Sequence, residues 1–261
     1  MTLANKVSLV TGAGGGGSGR SIALRFAMEG SKVIVSDIDE QGGRETVRLI
    51  EAQGGQAVFF RADVGADEEV HELIDFAGKK YGGLDVLVNN ASDTSHLEGF
   101  FDHWHDLIRV DLLGPLHITF HAIEAMRKRG GGAIVNIGST SALGHGRKHS
   151  RWPAYDVAKA GVMRLTTTLA PLREELGIRV NCLIPNWVAS PPVKAYWDTL
   201  TAQQRKDGGV PEVLTTLDEI ADAVLRLATD PALAGRLLIF WNSGERPRFI
   251  PWGDQGCERL E

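Results

Sequence analysis

The sequence predicts an α/β fold, a doubly wound, seven-stranded parallel sheet flanked by helices, on three observations. Short apolar runs rich in Val and Ile alternate with longer amphipathic segments along the whole chain, the pattern of strands buried on both faces and joined by crossover helices. A glycine cluster, Thr11-Gly12-Ala13-Gly14-Gly15-Gly16-Gly17-Ser18-Gly19, follows the first apolar run and opens the first amphipathic segment. The alternation leaves no gap for a linker and contains no repeat period, so residues 1–261 read as one domain.

The elements follow in order. Strands are expected at 7–11, 32–37, 57–62, 84–89, 132–138, 178–184 and 237–241. Between them lie helical segments at 18–29, 40–53, 67–81, 101–129, 154–176 and 217–229. Thr216 and Glu219 form a capping box at the start of the last, satisfying amides that have no partner inside the helix. Pro171 should kink or interrupt the 154–176 segment, because proline lacks an amide hydrogen and its ring clashes with the preceding turn.

Composition excludes several classes. With 261 residues, 43% hydrophobic and 23% charged, the chain is long enough for a substantial core and is neither disordered nor a membrane chain. Apolar runs fall short of a bilayer span, and the first residues lack a basic segment followed by an apolar stretch, which favours a cytoplasmic location. A net charge of -5 argues against general nucleic-acid binding. Cys182 and Cys257 have no metal-ligand or redox spacing, and no metal is expected; Cys182, in an apolar run, reads as a buried thiol.

Two features carry chemistry. Tyr155 and Lys159, four residues apart, share one helix face, so an ammonium can stabilise the anion of a phenol that is otherwise a poor acid or base at neutral pH. The alternative is a solvated helix face. The glycine cluster lets backbone approach a pyrophosphate at a helix N-terminus, and Asp37 ends the next strand, where a carboxylate accepts hydrogen bonds from ribose hydroxyls and repels a 2′-phosphate. That combination favours NAD over NADP. Asp37 has a second reading as a cap for the following helix, a role equally open to Asp39.

From end to end the chain resembles a short-chain dehydrogenase/reductase, a single-domain Rossmann fold. The matching elements are the 11–19 loop, Asp37, Asp63-Val64, Asn89-Asn90-Ala91, Ser139, the Tyr155/Lys159 pair and Pro185 through Ser190. The resemblance implies a cofactor half at about 1–135, a catalytic half at about 136–261 and a lid at about 190–214. In the cofactor half, Gly12, Gly14, Gly17, Ser18 and Gly19 would form the phosphate loop, Asp63 would meet the adenine amine and the Val64 amide its ring, and Asn90 and Ala91 would lie beside the adenosine ribose. From the other half, Pro185, Val188 and Ser190 would hold the nicotinamide end. The implied reaction is hydride transfer between NAD and a secondary alcohol or ketone. Tyr155 would act as general acid/base, Ser139 would hydrogen-bond the substrate oxygen, and Lys159 would bind the nicotinamide ribose and lower the phenol pKa. Alternatives are a 3-oxoacyl-thioester reductase and, from another class, a non-catalytic dinucleotide-binding sensor or scaffold. A homodimer or homotetramer through the 101–129 and 154–176 helices is implied as well.

The chain departs from the family pattern at four places. The glycine loop is one residue longer than usual. Asp111 stands where the family usually has an Asn that completes a relay to Lys159, so a carboxylate joins the catalytic set. Ser92 and Asn186 replace glycines. The connection from Ser139 to Tyr155 is lengthened by His145-Gly146-Arg147-Lys148-His149-Ser150-Arg151-Trp152, either a solvated loop or an attractor for an anionic substrate. Candidate substrate contacts are Ser141, His145, Arg147, Trp152, Asn186, Trp187 and Trp197, the last two either walling the site or packing the lid.

Overall fold

A computed structural model describes residues 3–93, 103–144, 152–241 and 247–251. Strands β1 (Val7–Thr11), β2 (Lys32–Asp37), β3 (Gln56–Arg61), β4 (Val86–Asn89), β5 (Gly132–Ile137), β6 (Ile178–Pro185) and β7 (Leu237–Phe240) pair in parallel, and β8 (Arg248–Phe249) adds an antiparallel edge. The order is β3-β2-β1-β4-β5-β6-β7-β8, so the winding reverses between β1 and β4. In such a sheet, ligands bind outside the carboxyl ends of the strands at the reversal. Thr11, Asp37, Asn89 and Pro185 are the last residues of their strands, which gathers the sequence candidates at that end.

Helices α1 (Ser18–Met28), α2 (Glu40–Ala52), α3 (Asp67–Tyr81), α4 (Trp104–Ile108), α5 (Gly114–Arg127), α6 (Pro153–Thr168), α7 (Leu172–Leu176), α8 (Pro191–Thr199), α9 (Ala202–Gly208) and α10 (Leu217–Thr229) complete the chain. On one sheet face, Val10, Val35 and Leu183 pack with Ile22, Phe26, Val224 and Leu227; on the other, Leu9, Ile34 and Leu87 pack with Leu73, Ile118 and Met126. Leu9 and Val10 are adjacent yet belong to opposite cores because strand side chains alternate. At the amino end of the central strands, opposite the site, the buried Asp85 carboxylate accepts from the Val7 amide at 2.9 Å and pairs with Arg129 at 3.1 Å. Burial works to raise the Asp85 pKa, but the Val7 amide, Arg129 and Lys6 outweigh it and hold it below its ordinary value. Its stabilisation is therefore present above the ordinary carboxylate range and fades as pH falls through the lowered value.

Local chemistry accounts for the boundaries. Asp39 caps α2 through the Gly42 amide at 3.0 Å, which leaves Asp37 for another purpose. The Thr216/Glu219 capping box is formed in both directions. Pro171 lies between α6 and α7, ending the helix that carries Tyr155 as its missing amide requires.

The expected single helix at 101–129 is instead broken by a π-helical turn, Arg109–Leu113, between α4 and α5. Pro115 explains the break. It cannot donate to the carbonyl four residues earlier, that of Asp111, and its ring crowds that carbonyl, so the backbone widens there. The wide turn carries Asp111 inward to full burial. Residues 190–214, the expected lid, hold two helices, α8 and α9, where the sequence showed none, and β8, only two residues long, escaped a periodicity test.

Candidate active site

The glycine loop leaves β1 and enters α1 with two positions that exclude any side chain. Gly12 has φ +64°, and a Cβ there would stand 2.6 Å from Ala91 Cα; a Cβ on Gly19 would strike the Gly12 carbonyl. A Cβ on Gly14 would lie 2.8 Å from the Asp37 carboxyl carbon, whereas one on Gly15 would meet nothing within 4 Å. Gly17 is the N-cap of α1 and has no side-chain hydrogen bond to offer, so the first-turn amides beginning at Ser18 are left for an anion. A narrow glycine cradle leading to an uncapped helix N-terminus fits a dinucleotide pyrophosphate.

The adenosine side is built from strand ends. Asp37 accepts from the Gly14 amide at 2.7 Å and from the Asp39 amide at 3.0 Å, so its carboxylate is locked to the loop it faces. The nearby cation Arg20 is directed at backbone, donating to the Gly14 carbonyl at 2.5 Å, the Gly42 carbonyl at 3.2 Å and Thr46 Oγ1 at 2.9 Å. Asn90 pins the loop, its side-chain amide donating to the Thr11 and Gly12 carbonyls at 2.9 and 3.1 Å, while the Asn90 and Ala91 amides donate to Thr11 Oγ1. Asp63 accepts from the Gly65 amide at 2.8 Å and pairs with Arg109 at 2.7 Å; each carboxylate oxygen retains a further lone pair. Arg109 was not among the sequence candidates, because nothing in spacing links positions 63 and 109. The buried Val64 side chain packs against Gly114, where a Cβ would come within 2.9 Å of it.

The catalytic candidates converge at α6. Lys159 is buried, with its ammonium 5.4 Å from the Tyr155 ring centroid, 3.3 Å from the Ile137 carbonyl and 3.0 Å from Asp111 Oδ1. The same Oδ1 accepts from the Ser92 hydroxyl at 2.5 Å, and Oδ2 accepts from the Asp93 amide at 3.0 Å. Burial works to lower the Lys159 pKa, but the Asp111 carboxylate and Tyr155 outweigh it and raise it above the ordinary ammonium value. Close packing sets this geometry, since a Cβ on Gly161 would stand 2.6 Å from Leu112, so α6 lies directly on the π turn. Cys182, also beneath Lys159, is buried with its thiol pushed up to about 12 by burial, which makes it inert. Ser139 follows β5, where its Oγ accepts from the Ser141 amide at 3.2 Å and lies 3.0 Å from Ser141 Oγ.

At the carboxyl end of β6, Pro185 is buried, and Asn186 is held by its amide on the Phe240 carbonyl and by Thr140 Oγ1 donating to its Oδ1 at 3.2 Å. Val188 bridges in parallel to Thr215, and its carbonyl accepts from the Ser190 amide at 2.8 Å. Ser190 and Pro191 lie against Gly17 and Gly16, joining the start of the lid to the phosphate loop. Trp187 and Tyr196 stack with ring centroids 6.2 Å apart, and Trp152, at the entrance to α6, is exposed. Trp197 packs the lid instead, donating to the Pro211 carbonyl at 2.9 Å beneath the Arg205 guanidinium, 4.1 Å from its ring. His145 and Arg147, like the rest of the basic segment up to Arg151, and Cys257 lie outside the described residues. Among the described residues no group of three His, Cys, Asp or Glu side chains could hold a metal, and no helix is long and apolar enough to cross a membrane.

The family model for short chain dehydrogenases matches residues 6–200. An uncharacterized oxidoreductase of Thermotoga maritima is 38% identical over 251 residues, covering 95% of this chain and 92% of its own. A cis-4-hydroxycyclohexanecarboxylate dehydrogenase of Sinomonas cyclohexanicum is 33% identical over 237 residues, covering 88% of this chain and 91% of its own. A short-chain type dehydrogenase/reductase of Mycobacterium ulcerans, 21% identical, shares the fold with a TM-score of 0.84 over 93% of this chain and 90% of that one.

Proposed function

The chain belongs to the short-chain dehydrogenase family of oxidoreductases, and from that premise we propose that it transfers a hydride between NAD and a secondary alcohol or ketone, working as one catalytic domain. The observation that carries the reading is the buried Lys159 ammonium, sealed by Asp111 beneath Tyr155 at the carboxyl end of the sheet. When bound, the nicotinamide supplies the hydride acceptor or donor. In the oxidative direction Tyr155 takes the alcohol proton, the Ser139 hydroxyl hydrogen-bonds the oxygen where negative charge develops, and the Lys159 cation stands 5.4 Å from the Tyr155 ring centroid. Gly12, Gly14, Gly17, Ser18 and Gly19 hold the pyrophosphate; Asp37, Asp63, Val64, Asn90 and Ala91 hold the adenosine; and Pro185, Val188 and Ser190 hold the nicotinamide end.

Ring-shaped secondary alcohols are the first substrates to try, given the hydroxycyclohexanecarboxylate dehydrogenase among the relatives and the Trp187–Tyr196 stack on the lid. A panel of cyclohexanol, cis-4-hydroxycyclohexanecarboxylate and a 3-oxoacyl thioester, followed at the nicotinamide absorbance with NAD(H) and NADP(H), separates the readings. Turnover of the ring alcohols supports this one, turnover of the thioester alone supports the acyl reductase, and hydride transfer from no member supports a binding role without catalysis.

NAD is expected to bind more tightly than NADP, because the Asp37 carboxylate accepts from a ribose diol and repels a 2′-phosphate. Asp37→Ala should weaken NAD by about 10- to 100-fold, the loss of hydrogen bonds to a charged group, and narrow the preference. Calorimetric titration showing tighter NADP binding to the wild type would remove the claim.

A homodimer or homotetramer is also proposed. Leu113 at the end of the π turn, Leu116 and Phe120 on α5, and Val157 on α6 are large apolar side chains left exposed, Phe120 by 66%. Phe120→Asp should lower the mass measured by light scattering toward that of one chain. A wild-type mass of one chain at every concentration would contradict the assembly.

A further inference from the structure

Two departures from the family pattern, far apart in sequence, touch in the structure. Ser92 and Asp111 stand where the family resemblance leads one to expect glycine and asparagine, and the Ser92 hydroxyl lies 2.5 Å from Asp111 Oδ1. That oxygen is also the one 3.0 Å from the Lys159 ammonium. Lys159 and Asp111 are buried, Asp111 completely, whereas Ser92 is exposed. A hydrogen-bonded chain therefore runs from the buried cation to the surface through two side chains that can each carry a proton. Asparagine does not exchange one in this way, and glycine has no hydroxyl.

We propose that Ser92 is the solvent end of a proton route from Lys159 through Asp111, by which the proton released in alcohol oxidation leaves the site. The route rests on the oxidoreductase reading above and adds a residue and a direction to it. Lys159 gives one proton to Asp111 Oδ1 and is restored by the proton that Tyr155 yields. The carboxylic acid so formed gives its proton to Ser92 Oγ as the hydroxyl proton passes to water, and the hydroxyl then turns back to Oδ1. One proton crosses, every group returns to its starting state, and nothing is oxidised or reduced.

The Cys182 thiol does not compete, since burial holds its proton to about pH 12. The Asp93 amide on Oδ2 fixes the carboxylate so that Oδ1 stays between Lys159 and Ser92.

Proton release tests the route directly. Wild type, Ser92→Ala and Ser92→Thr are mixed with NAD and the ring alcohol of the panel that the wild type oxidises, in lightly buffered solution containing a pH-indicator dye. Hydride transfer is read at the nicotinamide absorbance and proton release at the dye. In the wild type the two should run together, while in Ser92→Ala the proton should lag by about tenfold or more, with KM unchanged and the lag shortened by added imidazole. Ser92→Thr, which keeps the hydroxyl, should recover most of the loss. A purely structural role for Ser92 would alter unfolding but leave proton and hydride in step. Simultaneous proton and hydride signals in Ser92→Ala would overturn the route and leave the oxidoreductase reading standing. Absence of hydride transfer in the wild type across the panel would overturn both.

Discussion

Tyr155→Phe is expected to lower turnover by about 10²- to 10⁴-fold, the usual worth of a positioned general acid/base, while nucleotide binding stays near wild type. The substitution leaves the ring in place on α6, and with it the contact to the Lys159 ammonium 5.4 Å from the ring centroid. Only the oxygen and its proton are removed, so kcat should fall while the dissociation constant for NAD, read by fluorescence titration, should not. The phenylalanine ring fits the same half-buried position, so unfolding should change by less than about 1 kcal/mol. Turnover within a few-fold of wild type would remove Tyr155 from the chemistry and place the proton elsewhere.

Much of the fold was legible because its strands are buried on both faces. Val7–Thr11 and Lys32–Asp37 read as short segments rich in Val, Leu and Ile with abrupt ends, and the observed strands have those bounds. The division of labour between Asp37 and Asp39 was open in the sequence, since either can cap a helix. Only the coordinates show Asp39 on the Gly42 amide and Asp37 on the glycine loop. The helix at 101–129 was misjudged because Pro115 acts on a carbonyl four residues back, and amphipathic spacing does not reveal whether the chain then stops, kinks or widens. The widening matters for the site, because it is what turns Asp111 inward. The lid helices were hidden by Pro191-Pro192 and by the short, polar Ala202–Gly208 segment, whose Thr201/Gln204 capping box was the one available signal.

The site was legible in its members and not in their pairings. Ser92, Asp111 and Lys159 could each be singled out against a family pattern, yet their contact depends on the π turn, on α6 resting against Leu112 and on the end of β4, three elements brought together only by tertiary packing. Arg109 against Asp63 is the same kind of pairing. Trp197 shows the converse, an aromatic in the right stretch of sequence whose indole is engaged by Pro211 and Arg205 within the lid.

Asp111→Asn should move the basic limb of the turnover profile to lower pH by about one to two units, the usual effect of one opposite charge within hydrogen-bonding distance. In the wild type the Asp111 carboxylate outweighs burial and holds the Lys159 pKa above its ordinary value. Asparagine keeps an oxygen near Lys159 and removes the charge, so burial is opposed by less and the ammonium gives up its proton earlier. The same change carries a stability cost with a definite sign. A lysine whose folded pKa is raised contributes stability that is complete below its unfolded value, about 10.4, and is lost as pH rises through the folded value. The variant should therefore unfold about 3 kcal/mol more readily at neutral pH, the cost of leaving one member of a buried pair without its counter-charge, and the gap to wild type should close only above about pH 10.4, as pH rises through the raised folded value. Urea unfolding at pH 7 and in a series above about pH 10.4 measures the second effect, and turnover against pH with a solvent-isotope control measures the first. A limb that stays in place while the protein is merely weakened would mean that Asp111 anchors the π turn without acting on the charge of Lys159. A limb that moves together with a pH-dependent loss of stability has one cause, because both readouts follow the charge on a single ammonium that has no route out of burial except by losing its proton.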